Sequence, residues 1–352
     1  MSADNAEEIA DRPGGVLPPQ PCRPTVMATR YAVAAGHYLA THAAFEVLEA
    51  GGNAVDAGVA AGLALGVLES AQVSVAGVAP IMIYLADSRE VITISGLGTW
   101  PKAASCAYFQ DKHGGAIPKG VERTVVPAAP DAWITALERY GTMRFGDVAA
   151  AAIRFARDGF PMYPLMAHII AEAEESYRSW PSNAEIFLPK GRPPEPGEIF
   201  VQADLARSLQ YMADEEAANG DDGREAGLKA ARDAFYRGDI AATMVRFFEE
   251  SGGLMTAEDL ADFRVAIEPP VRSRFGAIDV YACGPWCQGP LLAETLQILQ
   301  PDDFRSLEHN SVEYIHLVIE ALKLGFADRD AFVGDPKFVD VPIEGLTSLE
   351  YA

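Results

Sequence analysis

The pattern of apolar and polar positions predicts a pair of helices early in the chain. Apolar side chains recur at helical spacing over residues 41–50, and Gly51-Gly52 follows where that pattern stops. Glycine adopts the left-handed conformation at a helix C-terminus without steric cost, so this pair predicts the end of the first helix. Asn53 is a favourable N-cap for a second helix over residues 54–67, which is apolar on nearly all sides and therefore predicted to be buried.

Short runs rich in β-branched residues predict the strands. Residues 27–35 alternate weakly and predict a first strand. The runs 80–86 and 90–95 are separated by a polar Asp-Ser-Arg turn, which predicts a β-hairpin. A second strand pair is predicted over residues 271–282, around Phe275-Gly276.

Helical periodicity returns in several later segments. Thr256 and Asp259 have the spacing of a capping box and predict one more helix start. The acidic stretch 213–225 predicts a solvated surface loop, and the Asp328–Asp330 charge cluster a salt-bridged helix end. Long helices with few hairpins and no regular βαβ alternation indicate an α+β or layered α/β class. The remaining predicted helices cover residues 131–159 (two helices separated at 140–142), 203–214, 226–250, 291–300 and 312–327.

Composition and charge narrow the possible partners. The chain is 49% hydrophobic and 22% charged, which is a globular composition. Its formal net charge is −22, and a surface this acidic repels phosphate backbones and anionic lipid. We therefore expect neither a nucleic-acid partner nor a membrane partner.

The N-terminal region and the cysteines carry little chemistry of their own. Residues 1–26 are rich in proline, glycine and acidic side chains and predict an extended arm. They contain no apolar core of a signal peptide, and the longest apolar run, 55–68, is too short to span a bilayer, so we expect a cytoplasmic protein. Cys283 and Cys287 are four positions apart, which does not match the spacing of a CxxC pair. We expect the cysteines to be structural thiols, and we expect neither a metal nor a cofactor.

Generic catalytic motifs name no reaction. The sequence has no glycine-rich dinucleotide fingerprint, P-loop, HExxH helix or GxSxG elbow, and its six histidines show no metal-ligand spacing.

A specific resemblance comes from seven short motifs in a fixed order. Together they resemble the large subunit of the γ-glutamyltransferase (γ-glutamyltranspeptidase) family, which belongs to the N-terminal-nucleophile (Ntn) hydrolases. Most of them read as fold signatures, because glycine pairs permit helix ends and close packing. They are GGNAVDAGVAAGLALGVLE (51–69), RYGTM (139–143), RFARDGF (154–160), AFYRG (234–238), SGGLMTAEDL (251–260), ADRD (327–330) and GDP (334–336).

The resemblance implies a fold and a reaction. The fold would be a four-layer αββα sandwich, to which residues 27–352 contribute the large-subunit half of a single domain. The family's precursor cleaves itself, and the new N-terminal Thr of the small subunit attacks an amide carbonyl, with its own α-amino group as the base. Water or an amine then accepts the acyl group. This chain begins at Met1 and ends in a stretch resembling the region before the cleavage point, so we expect a large subunit with no catalytic residue of its own. Its partner would be the small subunit of the same precursor, in an αβ pair or a pair of such pairs.

Two departures from the family pattern concern the substrate. Leu97 stands where the resemblance implies an arginine that binds the substrate α-carboxylate, and Gly98 stands where it implies a glutamate. The next basic residue is Lys102. The family's glycine-rich run reads Ser74-Val-Ala-Gly-Val-Ala-Pro80 here and has lost most of its glycines. The residues expected to line the substrate pocket are Leu97, Gly98, Thr99, Trp100, Ser74 and Gly77.

Four interpretations of function stay open at this point. An amidohydrolase or acyltransferase acting on a small-molecule amide other than a standard γ-glutamyl compound is favoured, because a bidentate charged contact has been lost. A true γ-glutamyltransferase or glutathione hydrolase is the first alternative, and a non-catalytic scaffold paralogue is the second. A metal-dependent hydrolase is the third alternative, and a metal assay would test it. The residue that begins the small subunit discriminates between the enzymes and the scaffold.

Overall fold

The computed structural model describes residues 25–300 and 306–352. The chain divides into two units between Ala34 and Ala35, and only residues 25–34 of the first unit are described. The predicted arm over residues 1–26 lies almost entirely outside the described residues. The strand predicted over 27–35 is wrong: these residues form no strand, and a bend at Thr29-Arg30 interrupts the alternation. A strand also needs a hydrogen-bonded neighbour, which a weak local pattern cannot supply.

Helices make up most of the larger unit. The helices of its described residues are α1 (Tyr38–Glu49), α2 (Ala54–Leu68), α3 (Cys106–His113), α4 (Ala129–Tyr140), α5 (Phe145–Asp158), α6 (Pro164–Glu172), α7 (Glu174–Arg178), α8 (Pro181–Phe187), α9 (Ala203–Ala218), α10 (Arg224–Tyr236), α11 (Asp239–Ser251), α12 (Ala257–Asp262), α13 (Gly289–Leu299), α14 (Val312–Phe332) and α15 (Ile343–Leu346). A central group of them packs side by side, with α2 against α1, α4 and α5, and α9 against α5 and α10. Gly62 permits the close approach of α2 to α4, because a Cβ there would lie 2.8 Å from the Trp133 indole nitrogen.

The predicted helix pair at the start of the unit is confirmed, and hydrogen bonds tie its connection to the α4–α5 connection. Asn53 caps α2 in a reciprocal capping box with Asp56. The buried Asp56 carboxylate also accepts hydrogen bonds from the Thr142 hydroxyl at 2.7 Å and from the Met143 amide. Burial alone would raise the pKa of Asp56, but the hydrogen bonds from Asn53, Thr142 and Met143 outweigh it and hold the pKa below its ordinary value. One carboxylate therefore joins the α1–α2 connection to the α4–α5 connection.

The acidic segment 213–225 is not a solvated loop, contrary to the sequence prediction. α9 continues to Ala218, and a 3₁₀ turn, Gly220–Asp222, leads directly into α10. Glu216 is buried and accepts hydrogen bonds from the backbone amides of Phe145 and Gly146, both at 2.7 Å. The Glu216 carboxylate therefore provides hydrogen-bond acceptors for two backbone amides at the start of α5 that have no partner within the helix. Because this contact is long-range, the local charge pattern does not reveal it.

Two other helix predictions need correction. The predicted helix over 226–250 is two helices, α10 and α11, interrupted at Arg237-Gly238. α14 runs on to Phe332, so the Asp328–Asp330 cluster lies inside its last turns rather than beyond them. No glycine or proline occurs between the predicted end of α14 at residue 327 and Gly334, which lets the helix continue.

The strands are short and confirm both predicted hairpins. β1 (Ile81–Leu85) pairs antiparallel with β2 (Glu90–Ile94), which pairs in turn with β5 (Ile267–Glu268). β6 (Val271–Phe275) and β7 (Ile278–Ala282) form a ribbon that packs on α13, and its turn glycine, Gly276, has φ +58. β3 (Phe160–Pro161) pairs with β4 (Ile199–Phe200). In the described part of the chain, no helix is both long and apolar enough to cross a membrane.

Candidate functional site

The loop between α2 and β1 carries two of the predicted pocket residues. The Gly77 amide donates to the Ser74 carbonyl at 3.0 Å, and the Ser74 hydroxyl accepts from the Ala76 amide at 3.2 Å. Val75 is buried against Gly66 of α2, where a Cβ would lie only 2.7 Å from the valine side chain. The loop is therefore a fixed turn held on the end of α2.

The segment after β2 carries the other four. The Gly96 carbonyl accepts from the Ala79 amide at 2.8 Å, which joins this segment to the α2–β1 loop. Gly98 lies so close to the Val126 carbonyl that a Cβ would be 1.9 Å from that oxygen. The Thr99 carbonyl accepts from the Val126 amide at 2.9 Å. Any residue larger than glycine at position 98 therefore requires a backbone shift.

Both segments rest on the same stretch of backbone, residues 125–129, which leads into α4. The Gly77 carbonyl accepts hydrogen bonds from the Ala128 and Ala129 amides, while Thr99 bonds to Val126 in the same stretch. The structure thus brings the Ser74–Gly77 and Leu97–Trp100 segments together on one support. We call this assembly, residues 74–79 and 96–100 on residues 125–129, the substrate wall, after the pocket role that the sequence predicts for its residues.

The basic residue that follows the Leu97–Trp100 segment, Lys102, is already paired. The Lys102 ammonium lies 2.7 Å from the Glu258 and Asp262 carboxylates, and the Lys102 amide donates to Asp259 at 2.9 Å. These contacts, first the hydrogen bond to Asp262 and then the one to Glu258, raise the pKa of Lys102 above its ordinary value. Lys102 is thus held against α12, and Leu97 remains the side chain at the position where a cation was expected.

A family model for gamma-glutamyltranspeptidase matches residues 40–352. The chain belongs to the gamma-glutamyltranspeptidase family. The sequence resemblance is therefore confirmed over nearly all of the larger unit.

Two family members show how much of a whole protein the chain represents. The glutathione hydrolase-like YwrD proenzyme of Bacillus subtilis (strain 168) is 34% identical over 330 residues, which are 93% of this chain and 60% of that protein. The acylase ACY 1 proenzyme of Pseudomonas sp. (strain SE83) is 32% identical over 335 residues, 92% of this chain and 57% of that protein. The chain spans less than two thirds of the length of either relative.

Solved structures agree on the fold. Gamma-glutamyltranspeptidase from Helicobacter pylori superposes with a TM-score of 0.85 at 28% identity, covering 93% of this chain and 91% of that chain. Cephalosporin acylase from Bacillus halodurans gives a TM-score of 0.79 at 29% identity, covering 95% of this chain and 62% of that one. The predicted class, the α+β fold of the Ntn hydrolases with its αββα sandwich, is confirmed, and this chain is the large-subunit portion.

The described residues of the substrate wall include no nucleophile paired with a base. The only hydrogen bond that the described structure gives the Ser74 hydroxyl is the one it accepts from the Ala76 amide, and no general base contacts that hydroxyl. Of the predicted residues, Leu97 and Trp100 are 37% and 42% exposed, and Trp100 packs edge-to-face on Phe109 with ring centroids 5.8 Å apart. Ser74 also lines a mostly apolar cavity of about 260 Å³ beside α9 and α11. At Leu97 and Trp100 the wall therefore presents an apolar, solvent-exposed surface.

The cysteines do not form a reactive site in the described residues. Cys283 and Cys287 are half-buried free thiols. Burial, and then the neighbouring Cys287, raise the pKa of Cys283 to about 11. A thiol with so high a pKa is a poor nucleophile at neutral pH, which agrees with the structural role predicted for it.

Sequence reasoning missed the buried ion pair behind the substrate wall. Asp131, in the first turn of α4, is hydrogen-bonded to the Arg232 guanidinium and accepts from the Val265 amide at 2.7 Å. The Tyr236 hydroxyl donates to the Pro127 carbonyl at 2.7 Å and accepts from the Asp131 amide. Burial, followed by the charge of Asp131, raises the pKa of Tyr236 far above its ordinary value, so this hydroxyl stays a donor. The network fixes the position of residues 125–129. Its one local signal in the sequence was an acidic residue at the start of a helix.

Replacing Gly98 by alanine is expected to destabilise the protein by about 1–3 kcal/mol, because the new methyl group must displace the Val126 carbonyl. Urea unfolding of the wild type and the variant measures this. Gly345→Ala is the matched control, since a Cβ there meets nothing within 4 Å, and its effect should stay within about 0.5 kcal/mol. Equal effects at the two glycines would contradict the tight packing of the wall.

Proposed function

We propose that this protein is the large-subunit part of an amide-bond hydrolase or acyltransferase whose acyl-enzyme forms on the N-terminal Thr of a separate small subunit. Family membership supports the reaction class. The names of the two relatives include the word proenzyme, and the chain spans only 57–60% of them. Both facts support a precursor that supplies a second part. The open substrate wall, with no nucleophile and base in contact, fits a site completed by that part.

The substrate is proposed to be an amide whose acyl group carries no α-carboxylate. The observation that carries this is Leu97, which is exposed on the wall at the position of the expected arginine. Lys102 cannot substitute without breaking two ion pairs, and Gly98 has no room for a longer side chain. A buried bidentate Arg–carboxylate contact is worth several kcal/mol, so a γ-glutamyl group would lose its main anchor.

Glutathione hydrolysis is the second candidate. It is favoured by the likeness to proteins with that name, such as the glutathione hydrolase proenzyme of Bacillus subtilis (strain 168), 30% identical over 91% of this chain. The two candidates differ in one property, recognition of the substrate α-carboxylate. Rates on a γ-glutamyl anilide and on the same anilide without the α-carboxylate therefore separate them.

Replacing Leu97 by arginine is expected to restore that recognition. In the processed protein, the ratio of kcat/KM for the γ-glutamyl anilide to that for its descarboxy analogue should rise by about tenfold or more, mainly through KM. Leu97→Met keeps the apolar character and is the matched control, with an unchanged ratio expected. A wild-type protein that already prefers the γ-glutamyl compound by a large factor would overturn the proposed substrate class and favour glutathione hydrolysis.

A further inference from the structure

A cavity of about 260 Å³ lies between the α2–β1 loop and helices α9 and α11. Most of its lining is apolar, and the two helices contribute Leu205, Leu209, Met212 and Met244 to it. The unbranched methionine side chains adapt to the shape of an occupant. An apolar cavity of about 150 Å³ already holds a benzene molecule, so this one has room for about ten non-hydrogen atoms. We call it the α9–α11 cavity.

The lining of the α9–α11 cavity is uncharged. In the described part of the chain, no acidic, basic or histidine side chain contributes to it. A charged molecule would lose its water there without gaining a counter-ion, which is costly. The described lining includes Gln202 and three serines as its polar side chains. The Gln202 amide group is already engaged, because it donates to the Val67 carbonyl at 2.8 Å. The lining therefore favours a neutral molecule.

The three serines differ in what their hydroxyl groups can still offer. The Ser208 hydroxyl donates to the Asp204 carbonyl of its own helix at 3.0 Å. The Ser74 hydroxyl accepts from the Ala76 amide at 3.2 Å. The Ser70 hydroxyl is buried and has no hydrogen-bond partner among the described residues. A buried hydroxyl without a partner destabilises the fold, so Ser70 gains most from an occupant. Rotation about its χ1 bond lets the Ser70 hydroxyl meet a molecule in the cavity.

We propose that the α9–α11 cavity binds a small neutral molecule with an apolar body and one hydroxyl or carbonyl group, and that this group forms a hydrogen bond with Ser70. The volume, the uncharged lining and the unpartnered hydroxyl each specify one property of that molecule. Residues 74–76 line the cavity and also belong to the substrate wall, so the α2–β1 loop is a common boundary of the two. The proposal is independent of the reaction, because its contacts involve neither Leu97 nor Trp100.

Calorimetric titration of the full-length gene product with 3-phenylpropan-1-ol tests the proposal. This neutral alcohol matches the volume of the cavity and carries a single hydroxyl group. Saturable binding is expected, with a Kd below about 1 mM. The control ligand is 3-phenylpropionate, which has the same carbon skeleton and ends in a carboxylate. It should bind at least about tenfold more weakly, because the lining offers no counter-ion.

Two serine variants form a matched pair. Ser70→Ala should weaken the binding of the alcohol about fivefold, which is the effect of losing one neutral hydrogen bond. It removes a buried hydroxyl that has no partner, so it should not lower the free energy of unfolding. Ser208→Ala should leave the affinity unchanged, because the Ser208 hydroxyl is engaged within α9.

Two further variants fill the cavity. Leu205→Trp and Met244→Trp change half-buried positions on different helices, and each should abolish binding while cooperative unfolding in urea is retained. Because they lie on different helices, either variant suffices if the other does not fold. No saturable binding by the wild type, or binding that persists in a folded tryptophan variant, would overturn the proposed site. Equal effects of Ser70→Ala and Ser208→Ala would exclude the hydrogen bond to Ser70, and equal affinities for the alcohol and the carboxylate would contradict the neutral ligand class.

Discussion

Replacing Arg232 by methionine is expected to lower the free energy of unfolding by about 3–5 kcal/mol, because the change leaves the Asp131 carboxylate buried without its counter-ion. Arg232 and Asp131 are both almost fully buried, and the guanidinium also stacks over the Tyr236 ring at 4.6 Å. Methionine keeps the volume and removes the charge. Urea unfolding of the full-length gene product measures the effect.

The control for this prediction lies on the same helix. Lys229 pairs with Asp233 at 2.6 Å on the exposed side of α10, so Lys229→Met should change the free energy of unfolding by no more than about 0.5 kcal/mol. Removing both charges with Asp131→Leu and Arg232→Met should recover part of the loss, since no uncompensated charge remains. A loss below 1 kcal/mol for Arg232→Met would contradict the assigned role of the pair.

The second large effect is a dependence of stability on pH that originates in Glu294. This glutamate is buried between α13 and α14, and neither carboxyl oxygen has a hydrogen-bond donor among the described residues unless a proton is shared with Asp328. Burial raises the pKa of Glu294 to about 8, and the hydrogen bond and charge of Asp328 act in the same direction. The Tyr351 hydroxyl donates to the same Asp328 carboxylate at 3.0 Å. The proton on Glu294 thus completes a contact between α13, α14 and residue 351.

Glu294 makes the stability of the folded protein fall as the pH rises. Between the ordinary pKa of 4.5 and the folded value of about 8, the folded state binds more protons than the unfolded state. The contribution of Glu294 is therefore fully present below pH 4.5 and is lost as the pH rises through this window. The total loss is on the order of 3–5 kcal/mol, at about 1.4 kcal/mol per pH unit.

Urea unfolding of the full-length product between pH 5 and pH 9 measures this loss. Glu294→Gln, which still donates a hydrogen bond to Asp328 but does not titrate, should flatten the curve and exceed the wild type in stability at pH 8. Glu320→Gln, an exposed carboxylate on α14, should leave the wild-type curve unchanged. A Glu294→Gln curve that parallels the wild type would assign the pH dependence to other groups.

Local signals in the sequence carried most of the secondary structure. The α1–α2 pair was predictable because Gly51-Gly52 and the Asn53 cap act within a few residues, and the hairpins because β-branched runs flank short polar turns. The predictions that failed depended on distant partners. Residues 27–35 alternate without forming a strand, and Glu216 belongs to a buried contact with α5 that no local pattern reveals.

The candidate site was predictable only in part for the same reason. The resemblance selected the two segments of the substrate wall, and hydrogen bonds place both on residues 125–129. The pairing of Lys102 with α12 and the support from Arg232 join residues more than 100 positions apart, which no spacing in the sequence encodes.

Intact-mass measurement with N-terminal sequencing of the full-length gene product tests the central claim most directly. Two chains are expected, with the second beginning at Thr, and Ser or Cys there would also supply a nucleophile at a new N-terminus. A single uncut chain, or a second chain beginning at any other residue, would contradict the proposed enzymatic function and favour a non-catalytic scaffold with this fold.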